Sequence, residues 1–247
     1  TGLGTWAGAL ATTNNILGAS NVGLSSPWKG GLTIAALHNA ALTPLQVARM
    51  AHCRGFVVYD GDSRMVGGST PAPHAAHQVP ALKALRYGFA DLGVSGQTWA
   101  DMVADITTEA GPLYRTAWRS VAIGWAGVND AVGGADAPTI WARMQQWAAK
   151  VRALGYVVVL ATEIDGQNAA LNAAGWHTTI WPQLNALIRA GWRSVADNLA
   201  DLGADARLQN ALNLTYYNAD AVHLTTAGYA AVGGILAGAI VAAVSPS

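Results

Sequence analysis

Residues 138–160 read PTIWARMQQWAAKVRALGYVVVL and predict a helix that leads into a buried strand. Apolar residues recur at helical spacing over 138–154, and Pro138 lies in the first turn. Gly155 ends the helix. Tyr156–Leu160 is then continuously apolar, as a central parallel strand covered on both faces must be. This stretch therefore indicates an α/β fold.

The same alternation of strands and helices extends over most of the chain. Further short apolar runs predict strands at 56–59 and 120–123. The predicted helices span 79–89, 99–106 and 179–190, and a closing helix follows His223. We therefore expect a parallel sheet with helices on both faces.

The composition limits the classes of partner. The chain has 247 residues, of which 52% are hydrophobic and only 11% are charged, so it has ample material for a core. Fourteen basic and fourteen acidic residues cancel. Because no Lys/Arg cluster is present either, neither nucleic acid nor an anionic membrane surface is the expected partner. The lone Cys53 is interpreted as a small buried hydrophobe.

The run 227–244 has no charged residue and meets the minimum length of a membrane-spanning helix. It is rich in Ala and Gly, and it starts directly after a motif that carries candidate catalytic residues. We therefore interpret it as a buried helix that packs closely on the sheet, and not as a membrane anchor.

Four short motifs occur in a fixed order along the chain. They are YDGDSR at 59–64, GVSGQT at 93–98, GVND at 127–130 and DAVHLT at 220–225. Each is weak alone, since Gly-Asp-Ser arises by chance. Together, and in this order, they resemble the four blocks of the SGNH (GDSL-like) hydrolase family over about residues 55–245. The resemblance implies a doubly wound, flavodoxin-like parallel sheet of about five strands with helices on both faces, and the activity of a serine esterase that needs no cofactor.

The first and last motifs supply the residues of a catalytic triad. A serine hydroxyl is a poor nucleophile until a base takes its proton, and we expect Ser63 to be the nucleophile. His223 is the expected base, because the ordinary pKa of an imidazole is near neutrality. Asp220 lies three residues earlier, so its carboxylate can reach Nδ1 of the same ring. The alternative is a capping serine, a capping aspartate and a surface histidine.

The resemblance implies three donors for the oxyanion of the reaction. They are the backbone N–H groups of Ser63 and Gly96 and the side-chain amide of Asn129. A glycine allows close approach of the backbone to a substrate carbonyl, and an amide donates without a charge to desolvate. Gly93 remains an alternative to Gly96, and Asn129 has the alternative role of a turn residue.

Two further residues are candidate substrate contacts. Arg64 stands where the family commonly has Leu or Ile, and a cation there would favour a polar or anionic substrate group. Its alternative is a solvent-facing or salt-bridged arginine. Trp125 precedes the third motif and is a candidate to stack on a sugar or acyl group, with a core position as its alternative. Glu163 and Asp165 follow the predicted strand at 156–160 and are expected to be solvated, with a place at the border of the site as the alternative. His74 and His77 have no further ligands nearby, so no metal site is predicted.

Residues 1–54 are rich in Gly, Thr, Ser and Asn and form a predicted β-rich extension, with the hydrolase domain at 55–247. The stretch 28–44 loosely resembles the end of a laminin-G-like (concanavalin A-type) jelly roll. That resemblance and the ten tryptophans suggest a carbohydrate substrate. The predicted function is removal of short acyl groups, such as O-acetyl, from a polysaccharide by an exported or virion-associated bacterial or phage protein. The alternatives are a lipolytic esterase or thioesterase and a non-catalytic carbohydrate-binding module.

Overall fold

The computed structural model describes residues 55–67, 87–114, 116 and 119–244. The β-rich extension predicted for 1–54 lies outside these residues. The described part contains a five-stranded sheet in the order β2-β1-β3-β4-β5, with every neighbouring pair parallel. This confirms the doubly wound, flavodoxin-like architecture. The strands are β1 (Gly55–Gly61), β2 (Tyr87–Asp91), β3 (Arg119–Trp125), β4 (Val157–Ala161) and β5 (Asn198–Ala200).

Helices connect and cover these strands. The α-helices are α1 (Ser63–Val66), α2 (Trp99–Ala110), α3 (Val128–Val132), α4 (Ala137–Ala153), α5 (Ala169–Ala173), α6 (Trp181–Gly191) and α7 (Thr226–Val244). A π-helix spans Trp176–Ile180, and 3₁₀ turns occur at Gly111–Leu113, Trp192–Ser194, Leu202–Ala204 and Ala206–Leu208.

Two apolar layers enclose the sheet, one on each face. Val57, Val121 and Val159 point to the layer that contains α7. Their strand neighbours, such as Val58 and Val158, point to the layer formed by α2, α4 and α6. Burial on both faces explains why 156–160 is continuously apolar.

The predicted helix at 79–89 is wrong at its C-terminal end, where 87–91 form β2; residues 79–86 lie outside the described part. β2 is an edge strand that pairs in parallel with β1, Tyr87 opposite Gly55. This pairing satisfies the backbone groups of β2 that face β1, while its side chains stay partly or fully exposed. An edge strand therefore lacks the continuous apolar run that identified β4.

The other predicted elements are confirmed with small shifts. The helix around 138–154 begins after Asp136, whose side chain accepts a hydrogen bond from the Thr139 N–H. The helix predicted at 179–190 begins as α6 at Trp181, with Pro182 in its first turn, directly after the π-helix.

Helix α7 is long and apolar enough to cross a membrane by length and composition, with a mean hydropathy of 2.0. Half of an 18-residue stretch of this helix is buried inside the protein, and the helix packs on β4 and β5. Core helices of globular proteins share these properties. Its place in the apolar layer fits the closing helix expected from the sequence.

Candidate active site

Ser63 stands at the carboxyl end of β1, at the first position of the short helix α1. Asp62 caps this helix, since its Oδ1 accepts a hydrogen bond of 2.9 Å from the Arg64 N–H. Gly67 ends it in the left-handed conformation. The order of the strands changes direction between β1 and β3, which is where doubly wound sheets place their ligands. This strand–turn–helix geometry leaves the Ser63 side chain half-buried and accessible.

Asp220 and His223 come together in one tight turn and reach Ser63 from the far end of the chain. Asp220 Oδ2 lies 2.6 Å from His223 Nδ1, and His223 Nε2 lies 2.8 Å from Ser63 Oγ. Asp220 Oδ1 also accepts hydrogen bonds from the N–H groups of Val222 and His223. Burial alone would raise the pKa of Asp220, but the hydrogen bonds from His223 and Val222 lower it below its usual value. The Asp220 carboxylate is therefore ionised in the pH range in which an imidazole ordinarily takes up a proton.

The turn between them contains a strained residue. Ala221 has φ of 55°, the only positive φ of a non-glycine residue in the described part of the chain. Its carbonyl accepts a hydrogen bond of 2.9 Å from the Gln167 N–H, so the loop after β4 holds the turn in place. Left-handed backbone in a residue with a Cβ costs about 1–2 kcal/mol. Such strain concentrates at functional turns.

Asn129 lies on α3, after the carboxyl end of β3, and lines the same cleft as Ser63. One N–H of its amide donates to the Gln97 carbonyl at 3.0 Å. An amide has two N–H groups, so the second is available to an oxyanion. Its neighbour Asp130 accepts from the Trp99 N–H and pairs with Arg143. Asn129 and Asp130 of the third motif are therefore hydrogen-bonded to the segment that contains the second motif.

The structure distinguishes the two candidate glycines of the second motif. The Gly93 N–H donates to Asp91 Oδ1 at 3.0 Å, so it is already used. Gly96 is exposed, and its N–H donates to no described residue. Gly96 has φ of 86°, and a Cβ there would meet no atom within 4 Å. Backbone conformation, and not crowding within the protein, therefore favours glycine at this position.

A small cleft opens at Ser63. Its volume is about 150 Å³. Polar lining side chains come from Ser63, Asn129, Asn168, Asp220 and His223, and apolar ones from Val128, Val132, Leu171 and Val222. The lining thus offers a nucleophile, its base and hydrogen-bonding side chains, and the rest of it is apolar. Neither Gly96 nor Arg64 is among the lining residues.

Arg64 does not contact the cleft, which corrects its candidacy as a substrate contact. Its side chain is fully buried and lies between two carboxylates, Asp62 at 2.9 Å and Glu163 at 2.7 Å. Of the two alternatives predicted for it, the structure shows the salt-bridged one. A buried guanidinium needs such partners to offset its lost hydration.

Trp125 does not line the cleft either, so the stacking role considered for it is wrong. Its side chain is fully buried, with the Arg64 guanidinium 4.9 Å from its ring centre. The alternation along β3 could have revealed this, because Trp125 follows Val121 and Ile123 at steps of two. All three belong to the same apolar layer.

Two acidic residues after β4 are buried, although the sequence predicted that they are solvated. Glu163 pairs with Arg64, and burial raises its pKa to about 7 despite this partner. Asp165 accepts hydrogen bonds from the Ala211 N–H and the Gln167 amide, and lies 2.7 Å from His177 Nδ1. Both fix loops beside the cleft. Sequence reasoning gave no indication of His177.

No group of three His, Cys, Asp or Glu side chains in the described ranges could hold a metal ion. His74 and His77 lie outside those ranges.

No protein-family model matches the sequence, and no curated protein does. Solved structures do resemble it. TesA is 15% identical with a TM-score of 0.60, and the match covers 75% of this chain and 97% of that one. A member of the lipolytic G-D-S-L family from Veillonella parvula is 13% identical with a TM-score of 0.57, covering 73% and 95%.

A mutant of an acetyl-xylooligosaccharide esterase from Geobacillus is 17% identical with a TM-score of 0.55, covering 75% of this chain and 93% of that one. GDSL-like lipases from Parabacteroides merdae and Bacteroides thetaiotaomicron match similarly. The chain therefore has the fold of the SGNH (GDSL-like) hydrolases.

Proposed function

We propose that this chain, with its SGNH hydrolase fold, is a serine-dependent carboxylic ester hydrolase. The observation that carries the proposal is the continuous relay from Asp220 through His223 to Ser63, with contacts of 2.6 and 2.8 Å. This relay opens into a cleft that also contains the amide of Asn129. A nucleophile, its base and the group that orients the base are the three parts that acyl transfer requires.

In the first half of the reaction, Ser63 Oγ attacks the ester carbonyl carbon while its proton passes to His223 Nε2. The oxyanion accepts hydrogen bonds from the Asn129 amide and the Ser63 N–H, both from residues that line the cleft, and the family resemblance adds the N–H of Gly96. Collapse breaks the bond to the alcohol, which leaves with the proton from Nε2. In the second half, water attacks the acyl-enzyme, again giving its proton to His223, and the carboxylic acid leaves as Ser63 recovers its proton.

We further propose that the acyl group is short and that the alcohol is a carbohydrate, as in an O-acetylated polysaccharide. The cleft volume of about 150 Å³ supports a short acyl group. The carbohydrate is supported by the jelly-roll resemblance of 28–44 and by the acetyl-xylooligosaccharide esterase among the structural matches. The burial of Trp125 removes one argument for a sugar.

Turnover of p-nitrophenyl acetate by the wild type and by Ser63→Ala tests the enzyme proposal. We expect turnover by the wild type and near-complete loss in the variant. The matched control is Ser194→Ala, a serine in the 3₁₀ turn before the amino end of β5. It should keep wild-type activity. A folded wild type without turnover would contradict both the short-acyl and the lipolytic alternatives.

Comparison of acetyl with octanoyl esters, and release of acetate from acetylated xylan, then tests the substrate class. Preference for acetyl esters with acetate release supports the carbohydrate proposal. Preference for octanoate would support a lipolytic esterase instead.

A further inference from the structure

A buried ion cluster lies directly beneath the nucleophile, formed by Asp62, Arg64 and Glu163. The Arg64 guanidinium donates from Nε and Nη2 to Asp62 and from Nη1 to Glu163. All three side chains are buried. Burial alone would lower the pKa of Arg64, but the two carboxylates raise it, so the guanidinium stays charged. A buried cluster of this kind is costly in desolvation, and it is weak evidence for a role in stability alone.

The contacts of Arg64 enclose Ser63 on both sides. The Asp62 carboxylate accepts one hydrogen bond from the Arg64 backbone N–H and two from its side chain. Asp62 and Arg64 are the residues before and after Ser63. The backbone on either side of the nucleophile is therefore fixed by a single carboxylate–guanidinium pair, whose planar geometry allows little rotation.

The third member connects this turn to two other strand ends. Glu163 follows β4, and its backbone is held by Asn185, which accepts from the Glu163 N–H and donates to its carbonyl. Glu163 Oε1 lies beside Gly127, where a Cβ would be 3.1 Å away. Gly127 has φ of 149° and directly precedes α3, the helix of Asn129. The cluster thus joins the turn of Ser63 to the loops that follow β3 and β4.

We propose that Arg64 is a positioning residue, whose paired guanidinium sets the placement of Ser63 relative to His223 and Asn129. This inference rests on the proposed ester hydrolase function. It assigns to Arg64 a role that an apolar residue at this position would not have, because the planar guanidinium binds Asp62 through two donors and Glu163 through a third. Arg64 does not touch the substrate; it acts through Ser63.

The test uses four variants of the full chain, with kcat and KM for p-nitrophenyl acetate and the thermal unfolding midpoint of each. Arg64→Met removes the guanidinium but keeps an unbranched side chain. Arg64→Met with Glu163→Gln restores the net charge of the wild-type cluster without restoring the fork. Arg64→Lys keeps the charge and loses the fork. Glu163→Gln alone keeps an acceptor for Nη1.

If Arg64 positions Ser63, Arg64→Met should lower kcat by about 10- to 100-fold with little change in KM. This is the scale expected for a nucleophile displaced by about 1 Å. The charge-matched double variant should stay equally slow. Arg64→Lys should also be slow, and Glu163→Gln, which keeps an oxygen acceptor for Nη1, should lose less activity than Arg64→Met. A purely structural role would lower the unfolding midpoint and leave kcat of the folded fraction unchanged.

Equal kcat in folded Arg64→Met and wild type would overturn the inference, as would recovery of kcat in the double variant, which would point to charge and not position. If Arg64→Met does not fold, Arg64→Lys decides by the same criterion. An inactive wild type contradicts the proposed function itself. An active wild type with an equally active Arg64→Met contradicts only the positioning role.

Discussion

Asp220 Oδ2 lies 2.6 Å from His223 Nδ1, and the two residues belong to the same short turn. That turn is held by backbone hydrogen bonds to the Asp220 carboxylate and by the Gln167 N–H on the Ala221 carbonyl. The carboxylate that orients the histidine is therefore local in sequence, while Gln167, in the loop after β4, holds the turn from outside. The nucleophile, by contrast, comes from 160 positions earlier in the chain.

Asp220→Asn should reduce kcat strongly, because the amide no longer fixes the Nδ1–H tautomer or stabilises the imidazolium. The corresponding change in serine proteases costs about 10⁴-fold, and we expect a loss of at least about 100-fold here. Steady-state kinetics with p-nitrophenyl acetate measure it. Asp201→Asn is the control, since Asp201 pairs with Arg189 away from the cleft. Equal losses in both variants would contradict the assignment of Asp220.

The wild-type rate should fall at acid pH, because a protonated base cannot take the proton of Ser63. The pKa of Asp220 is lowered, because hydrogen bonds from His223 and Val222 outweigh the effect of burial. Asp220 therefore stays ionised as the pH falls towards the range where an imidazole gains its proton, so protonation of Asp220 does not account for the lost rate. Measurement of kcat/KM from about pH 5 to 8 spans the ordinary imidazole pKa. A flat profile would contradict His223 as the base.

Asn129→Ala should lower kcat by about 10²–10³-fold, the usual effect of losing one oxyanion donor. Asn168→Ala is a matched comparison, because Asn168 lines the same cleft but caps α5 through the Leu171 N–H. Loss of that cap should lower the free energy of unfolding by about 1 kcal/mol and leave kcat closer to the wild type. If both variants keep wild-type kcat, Asn129 is not an oxyanion donor.

Leu171→Ala should shift the acyl preference towards longer chains. Leu171 forms part of the apolar wall of a cleft of about 150 Å³, so its truncation lengthens the space for the acyl group. Each accommodated methylene is worth about 1–3 kcal/mol of transition-state binding. The ratio of kcat/KM for octanoate to that for acetate should therefore rise by at least about tenfold. The exposed Leu212→Ala is the control, and an unchanged ratio in Leu171→Ala would exclude this wall as the acyl site.

The sequence predicted those parts of the site that depend on short local patterns. The motif around Ser63 and the spacing of Asp220 and His223 contain their chemistry within a few residues. The burial of Arg64 was not predictable in this way, since its partner Glu163 stands 99 positions away. A charged residue is almost never fully buried without a partner, so the local sequence favoured a solvent-facing or salt-bridged arginine and did not indicate full burial. β2 was missed because its partner β1, and not its own side chains, determines its conformation.

Asp60→Asn should stabilise the protein at neutral and higher pH. Asp60 is fully buried on β1, where Oδ2 accepts from Trp147 Nε1 at 2.7 Å and Oδ1 has no partner among the described residues. Burial raises its pKa to about 8, against the opposing hydrogen bond from Trp147. The folded state therefore holds this proton more tightly than the unfolded state.

The contribution of Asp60 to stability is greatest below the unfolded pKa, about 4, and is lost as the pH rises towards 8. The Asn variant cannot ionise, so its free energy of unfolding should match the wild type near pH 4 and exceed it near pH 8. The excess should be above about 1 kcal/mol, because each pKa unit between the two states is worth about 1.4 kcal/mol. Urea unfolding at both pH values measures the difference. Asp136→Asn is the control of opposite sign, because hydrogen bonds from Thr139 lower the pKa of Asp136. Asp136→Asn should therefore destabilise the protein at neutral pH. An Asp60→Asn variant that is also destabilised at neutral pH would contradict the raised pKa of Asp60.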